Sequence, residues 1–163
     1  MGLIAASQMP ARRPVTSGLT NSGQIIGTRG RRAGADTVGH TGNFRAATMS
    51  IEALDLQLAR LLPVIDALGG VALITADHGN ADEMFEIDKK TKQPALNTDG
   101  SFKAKTAHTL NPVPLILYDN VSGGKLGLKQ TETAGLSNIA ATVANLLGLE
   151  KHAAWDDSVL DIK

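Results

Sequence analysis

Cysteine is absent from the chain, which excludes disulfide bonds and thiolate metal sites and agrees with a reducing compartment, so the cytoplasm is the expected location. Long hydrophobic runs are missing as well. Nowhere do about 18 apolar residues follow one another, and Met1 to Ala6 is not a basic stretch leading into an apolar one, so neither a membrane span nor a secretory signal is expected. Net charge is lacking too: 16 Lys and Arg stand against 16 Asp and Glu, so no global field favours nucleic acid or an anionic membrane as partner. Any recognition of an anion has to be local. The 163 residues suit one ordinary domain with its own core.

A further absence is local. Before Asp36 there is no Asp, Glu, Lys or aromatic residue, while Arg12, Arg13, Arg29, Arg31 and Arg32 lie among Gly, Ser, Thr and Pro. So little periodic apolar surface does not offset the entropy of ordering a chain, and residues 1–35 are expected to form a flexible arm. A transit peptide shares the Arg-rich, acid-free composition, but Pro10 and Pro14 interrupt the segment and no amphipathic helix is visible. A nucleic-acid-binding arm without aromatics would be purely electrostatic. From Asp36 onward the texture is that of a globular protein.

What is present there alternates helix and strand. Asn43 is a good N-cap for a helix that places Ile51, Leu54, Leu58, Leu61, Ile65 and Leu68 three and four residues apart, predicting one buried stripe. Pro63 lacks an amide donor and is a candidate kink, and Gly69-Gly70 supplies the stop. Val71 to Thr75 is a short apolar run of the kind expected in a parallel strand covered on both faces. The polar stretch Met84 to Lys105, with a turn at Asn97-Thr98-Asp99-Gly100 between two short strands, reads as a surface excursion. Leu115 to Tyr118 predicts another buried strand, entered through Pro112 and Pro114. A last helix runs from Ser137 as N-cap to Leu147, with Gly148 after it, burying Ile139, Val143, Leu146 and Leu147. Such alternation defines an α/β layered domain.

Asp77-His78 directly follows the strand Val71 to Thr75, where an open α/β sheet presents functional loops. Carboxylate and imidazole together suit Mn²⁺ or Zn²⁺, and Gly79 lets the backbone turn beside a crowded site. By itself the pair is equally compatible with a capped turn and a polar loop histidine. Asp36-Thr37-Val38-Gly39-His40 adds an acid and a His four apart, on one face if helical or in one compact loop given Gly39 and Gly42. His108 lies just before the strand at Leu115. The fourth histidine, His152, follows the last helix in a polar tail and reads as solvated. Asp82, Glu83 and Glu86 read as a solvated acidic start to the excursion.

Asp36-Thr37-Val38-Gly39-His40-Thr41-Gly42, Thr75-Ala76-Asp77-His78-Gly79-Asn80-Ala81-Asp82, His108-Thr109-Leu110-Asn111-Pro112-Val113-Pro114 and Gly135-Leu136-Ser137-Asn138-Ile139-Ala140-Ala141-Thr142, in this order, closely resemble the C-terminal region of the cofactor-independent phosphoglycerate mutases. The resemblance covers residues 36 to about 160. It implies an alkaline-phosphatase-like layered αβα domain over 36–163, present in part, with a mixed, mostly parallel sheet. It also implies that Asp36, His40 and His108 match the ligands of one Mn²⁺ and Asp77 and His78 ligands of another, Zn²⁺ being acceptable to the same donors. In that family a serine takes the phosphoryl group from 3-phosphoglycerate and returns it to the other hydroxyl, giving 2-phosphoglycerate in glycolysis without a bisphosphoglycerate cofactor. The serine, a further aspartate ligand and a substrate-binding domain lie in the family's N-terminal part.

Ser7, Ser17 and Ser22 do not match the serine motif, and no aspartate precedes Asp36. The expectation is therefore a fragment, with residues 1–35 derived from a shifted frame or fusion and no nucleophile identified in this chain, the partner being a missing N-terminal half. Two alternatives stand beside it. One is another metal-dependent phosphatase or phosphomutase of the same superfamily, for instance one acting on pentose phosphates. The other is a non-catalytic remnant that binds a metal or a partner chain.

Overall fold

A computed structural model describes residues 2–8, 23–28, 35–131 and 133–163. The chain divides into two compact units, one drawn from Arg29–Arg60 and Ala76–Pro114 and the other from Gly2–Thr28, Leu61–Thr75 and Leu115–Lys163.

In the first unit a short helix, α1 (Ala35–Gly39), leads into the long helix α2 (Phe44–Ala67), whose last turns belong to the second unit. Asn43 caps α2 as its side-chain chemistry predicts. Its Oδ1 accepts the amide of Ala46 at 3.0 Å, and its carbonyl accepts that of Ala47 at 3.0 Å. Asn43→Ala leaves the Ala46 amide to water and is expected to lower the unfolding free energy by about 1 kcal/mol, read as a lower urea midpoint at unchanged m-value.

The excursion follows its expected course. Isolated bridges pair Phe85 with Ala104, Ile87 with Pro94 and Leu96 with Phe102, and the turn closes where the Asn97 amide reaches the Ser101 carbonyl at 2.8 Å. Phe44, Phe85 and Phe102 form an aromatic row, with centroid distances of 5.7 and 5.2 Å between successive rings.

In the second unit, β3 (Gly70–Thr75) is buried along its whole length. The strand order is β2-β1-β3-β4, where β1 is Gly2–Gln8, β2 is Gly23–Thr28 and β4 is Leu115–Asp119. Every pairing in this sheet is antiparallel, Thr75 facing Leu115 across the β3–β4 ladder and Gly2 across the β1–β3 ladder. The mostly parallel sheet expected from sequence is thus corrected for the described strands. A run buried on both faces specifies coverage, and coverage does not fix the direction of the neighbours. Residues 2–8 and 23–28 fall inside the stretch expected to be a flexible arm and form a β-hairpin pairing; the arginines of that stretch, Arg12 to Arg32, lie outside the described residues.

Two more expectations change in detail. The stripe on α2 is buried at Ile65 alone, with Leu54, Leu58 and Leu61 half-buried and Ile51 and Leu68 exposed. β4 is an edge strand with Ile116 exposed, so it is half-covered and not buried. Helix α2 ends where expected, at Gly69, whose φ of 63° falls in the left-handed region that glycine reaches without a Cβ clash. Its last turn is tied to β4, because the Tyr118 hydroxyl donates to Asp66 at 2.7 Å and Asn120 donates to both. The hydrogen bond to Asp66, then burial and the carboxylate's charge, raise the phenol above its ordinary value.

Helix α3 (Asn138–Leu146) buries Ala141, Thr142 and Ala144, with Leu147 just beyond its end. Ile139, Val143 and Leu146 are half-buried. Small residues form its inner face because it lies close to the chain at Ser158–Leu160, where the Val159 amide donates to Thr142 Oγ1 at 3.1 Å. Ser137 makes no side-chain cap; Asn138 Oδ1 takes the Gly135 amide at 2.7 Å instead. A two-stranded ribbon, β5 (Leu126–Leu128) with β6 (Leu160–Ile162), completes the unit. Among the described residues no helix is long and apolar enough to cross a membrane.

Candidate metal centre

Every expected ligand lies in the first unit. α1 is only five residues long, yet it decides one question the sequence leaves open. Asp36 and His40 are joined by a helical turn, with the His40 amide on the Asp36 carbonyl at 3.1 Å, so the two side chains share a face. Their polar ends, His40 Nε2 and Asp36 Oδ1, are 3.3 Å apart. His108, 72 residues from Asp36, brings its Nε2 to 3.3 Å from the same carboxylate oxygen and to 3.0 Å from His40 Nε2.

Three ligand atoms therefore converge. Adjacent donors held about 2.1 Å from one cation lie about 3.0 Å apart at right angles and about 3.4 Å apart in a tetrahedron. The observed separations fit that spacing. The tautomer fits as well: His40 Nδ1 is 2.6 Å from the Thr106 carbonyl, which can only accept. Nδ1 thus holds the proton and Nε2 keeps its lone pair, the arrangement found in metal-bound imidazoles.

His78 extends the cluster. Its ring stacks on His108 with a centroid distance of 3.5 Å, and its Nε2 lies 3.8 Å from Asp36 Oδ1 and 3.7 Å from Asp77 Oδ1. His78 Nδ1 is buried with no hydrogen-bond partner among the described residues. Asp77 is more open, its side chain 68% exposed. The structure thus gathers Asp36, His40 and His108 into one compact triad and sets His78 and Asp77 beside it. His152, read as solvated, is exposed in the tail.

Close backbone packing holds the three segments together. Asn80 is buried, its Nδ2 donates to the Ala107 carbonyl at 3.4 Å, and its Oδ1 occupies the space where a Cβ on Gly39 would sit, 1.7 Å away. The Thr109 amide donates to the Gly79 carbonyl at 2.9 Å.

Sequence reading missed two groups here. The Thr106 carbonyl has no side-chain signature. Asp82, taken for the edge of a solvated acidic stretch, accepts the Thr109 hydroxyl at 2.8 Å and Asn111 Nδ2 at 2.6 Å on one oxygen. Burial alone would raise its carboxyl, but the Asn111 and Thr109 side chains and nearby amides hold it below the ordinary range. An acid four residues after His78, with Thr and Asn after His108, was the available signal. Glu83 and Glu86 pair with Lys105 and Lys103.

Carboxylate and imidazole donors that converge in this way suit a metalloenzyme, and the chain belongs to the Metalloenzyme superfamily, whose model matches residues 31–151. Within it the relatives are phosphoglycerate mutases of the 2,3-bisphosphoglycerate-independent kind. One named as probable 2,3-bisphosphoglycerate-independent phosphoglycerate mutase 2 of Arabidopsis thaliana is 38% identical over 142 residues, 86% of this chain and 25% of its own length. The 2,3-bisphosphoglycerate-independent phosphoglycerate mutase of Trypanosoma brucei brucei is 40% identical over 128 residues, 78% of this chain and 23% of its own. A crystal structure of Leishmania mexicana phosphoglycerate mutase at low cobalt concentration superposes with a TM-score of 0.72 at 37% identity, covering 79% of this chain and 24% of that one. The chain spans about a quarter of the length of these relatives. Dependence on a divalent metal accompanies the superfamily, and among the described residues the triad is a group that could hold one.

Proposed function

We propose that residues 36–163 are the metal-binding part of a cofactor-independent phosphoglycerate mutase, interconverting 3-phosphoglycerate and 2-phosphoglycerate in cytoplasmic glycolysis. Asp36, His40 and His108 would hold one Mn²⁺, and Asp77 and His78 would contribute to a second. The observation that carries this reading is the convergence of His40 Nε2, His108 Nε2 and Asp36 Oδ1 within 3.3 Å of one another. Bound divalent cations lower the pKa of an attacking hydroxyl and neutralise charge on a transferring phosphoryl group. Hard oxygen donors combined with imidazole favour Mn²⁺, and Zn²⁺ is accepted by the same set.

The chain's own residues have distinct tasks in this scheme. Asp36 supplies negative charge at the centre of the cluster, facing three imidazoles. Thr106 keeps the proton of His40 on Nδ1, away from the ligand face. His78, stacked on His108, connects the two groups of donors, and the exposed Asp77 brings its Oδ1 to 3.7 Å from His78 Nε2. Phosphoryl transfer through a serine requires the family's other segments, which lie outside the part of the relatives that this chain matches.

A chimera tests the proposal. Residues 36–163 replace the matched segment of the Leishmania mexicana enzyme, and the purified protein is assayed with Mn²⁺. Interconversion of the two phosphoglycerates is expected, abolished by His40→Ala. A folded chimera that hydrolyses other phosphate monoesters but does not interconvert phosphoglycerates would overturn the mutase reading.

A further inference from the structure

We infer that Asp82 is a positioning residue for His108, acting through Thr109 and Asn111 to hold the third ligand of the triad in place. This rests on the metal-centre reading above and assigns a task to a residue outside the donor set.

Few side-chain contacts fix His108. Among the described residues its Nε2 bonds only Asp36 and His40, both potential ligands, so its ring is placed by the backbone that carries it and by the neighbouring rings of His78 and His40. Three links tie that backbone to the segment after β3. One is the Asn80 side chain on the Ala107 carbonyl, long at 3.4 Å. Another is the Thr109 amide on the Gly79 carbonyl at 2.9 Å. The last is Asp82, whose Oδ2 gathers the Thr109 hydroxyl and the Asn111 amide at 2.8 and 2.6 Å.

Asp82 is the charged member of the three and the one that grips both residues beyond His108. Hydrogen bonds to an ionised acceptor are shorter and stronger than neutral ones. Thr109, immediately after His108, is buried, so its hydroxyl has no ready replacement in water if the carboxylate is removed. A shift of the His108 backbone by a fraction of an ångström opens the 3.0 Å approach of the two Nε2 atoms, and metal affinity is steep in that distance.

The test measures metal affinity separately from folding, using the 163-residue chain. Co²⁺ and Mn²⁺ are titrated into the parent, Asp82→Ala, Thr109→Val, Thr109→Ser, His108→Ala and the double variant Asp82→Ala/His108→Ala. The expected result for Asp82→Ala is a loss of about 10- to 100-fold in affinity, the range typical of groups that orient ligands. The visible Co²⁺ spectrum is expected to change while far-ultraviolet circular dichroism does not. Thr109→Val follows Asp82→Ala, and Thr109→Ser, which keeps the hydroxyl, stays with the parent. In the His108→Ala background, removing Asp82 produces no further loss.

Parent-like binding by Asp82→Ala, or losses that multiply in the double variant, would overturn the role. If Asp82→Ala does not fold, Asn111→Ala removes one donor and leaves the carboxylate. It is expected to give a smaller loss that vanishes without His108, and an unchanged affinity sinks the inference. If His108→Ala itself binds metal like the parent, the metal-centre reading fails first, and that outcome is distinct from a failure of Asp82 alone.

Discussion

Replacing His108 with alanine is expected to weaken Mn²⁺ binding by about a hundredfold or more, whereas His152→Ala leaves it unchanged. His108 is the histidine whose ring meets every other donor of the first cluster. It lies 3.3 Å from Asp36, 3.0 Å from His40, and is stacked on His78 at 3.5 Å between centroids. Removing it deletes one donor of the proposed site and the surface on which His78 stacks. A ligand in a tightly held site accounts for several kcal/mol of binding, and each 1.4 kcal/mol is a factor of ten.

His152 provides the control because its Nδ1 only accepts the Ala154 amide at 3.1 Å in the exposed tail. Mn²⁺ binding is followed by the loss of the free-ion electron paramagnetic resonance signal. Equal affinities for the two alanine variants would remove the triad as the metal site. A loss shared equally by both would point to nonspecific binding by surface histidines. Thermal unfolding of the metal-free proteins separates either outcome from simple misfolding.

The elements easiest to read in the sequence are those whose signals are local. Asn43 is an N-cap because its own side chain reaches the next turn, and Gly69 stops the helix because its backbone can turn left-handed. Neither depends on distant residues. The hydrophobic stripe of α2 is different, because periodicity identifies which face is apolar and says nothing about what covers it. Ile65 found a cover and Ile51 did not. Strand direction was illegible for a related reason. Val71 to Thr75 gave the burial of β3 correctly, but pairing direction is a property of the neighbours, which come from residues far along the chain. For α3 four large residues were expected inside; Leu147 is buried, but at Ile139, Val143 and Leu146 the burial is partial, and close approach of Ser158–Leu160 favours Ala141, Thr142 and Ala144.

The donors divide along the same line. Asp36 and His40 are legible as a pair, since a spacing of four is meaningful on one helical turn. His108 is legible only as an ordered companion in a familiar series of motifs, because no local rule carries it across 72 residues to Asp36. Thr106 was not legible at all, since it acts through a carbonyl that every residue possesses. Asp82 is exposed as expected, but its tie to Thr109 and Asn111 was illegible, because they are 27 and 29 residues away and have side chains common in any loop.

Gly79→Ala is expected to be among the most damaging single-methyl additions in the chain, and the reason differs from the one its sequence context suggests. A glycine after an Asp-His pair suggests a backbone turn that other residues avoid. Gly79 is not among the residues of positive φ, so alanine's backbone preferences are not the obstacle. Room is the obstacle. A Cβ at this position would lie 2.1 Å from Thr109 Oγ1 and 2.6 Å from Asp82 Oδ1, crowding the two residues that the Thr109 hydroxyl's bond to Asp82 Oδ2 joins. The Gly79 carbonyl also receives the Thr109 amide, so the two segments cannot separate without losing that bond as well. Overpacking of this kind costs about 1–3 kcal/mol in a well-packed site, and the lost hydrogen bonds of the buried Thr109 add to it. A fall in thermal midpoint together with a loss of Mn²⁺ affinity is the expected signature. Thr109→Ala in the same chain removes the nearer obstacle and is expected to recover part of the stability but not the affinity, since it also removes the hydroxyl that Asp82 holds. If the double variant is no more stable than Gly79→Ala, the damage comes from somewhere other than the contact with Thr109.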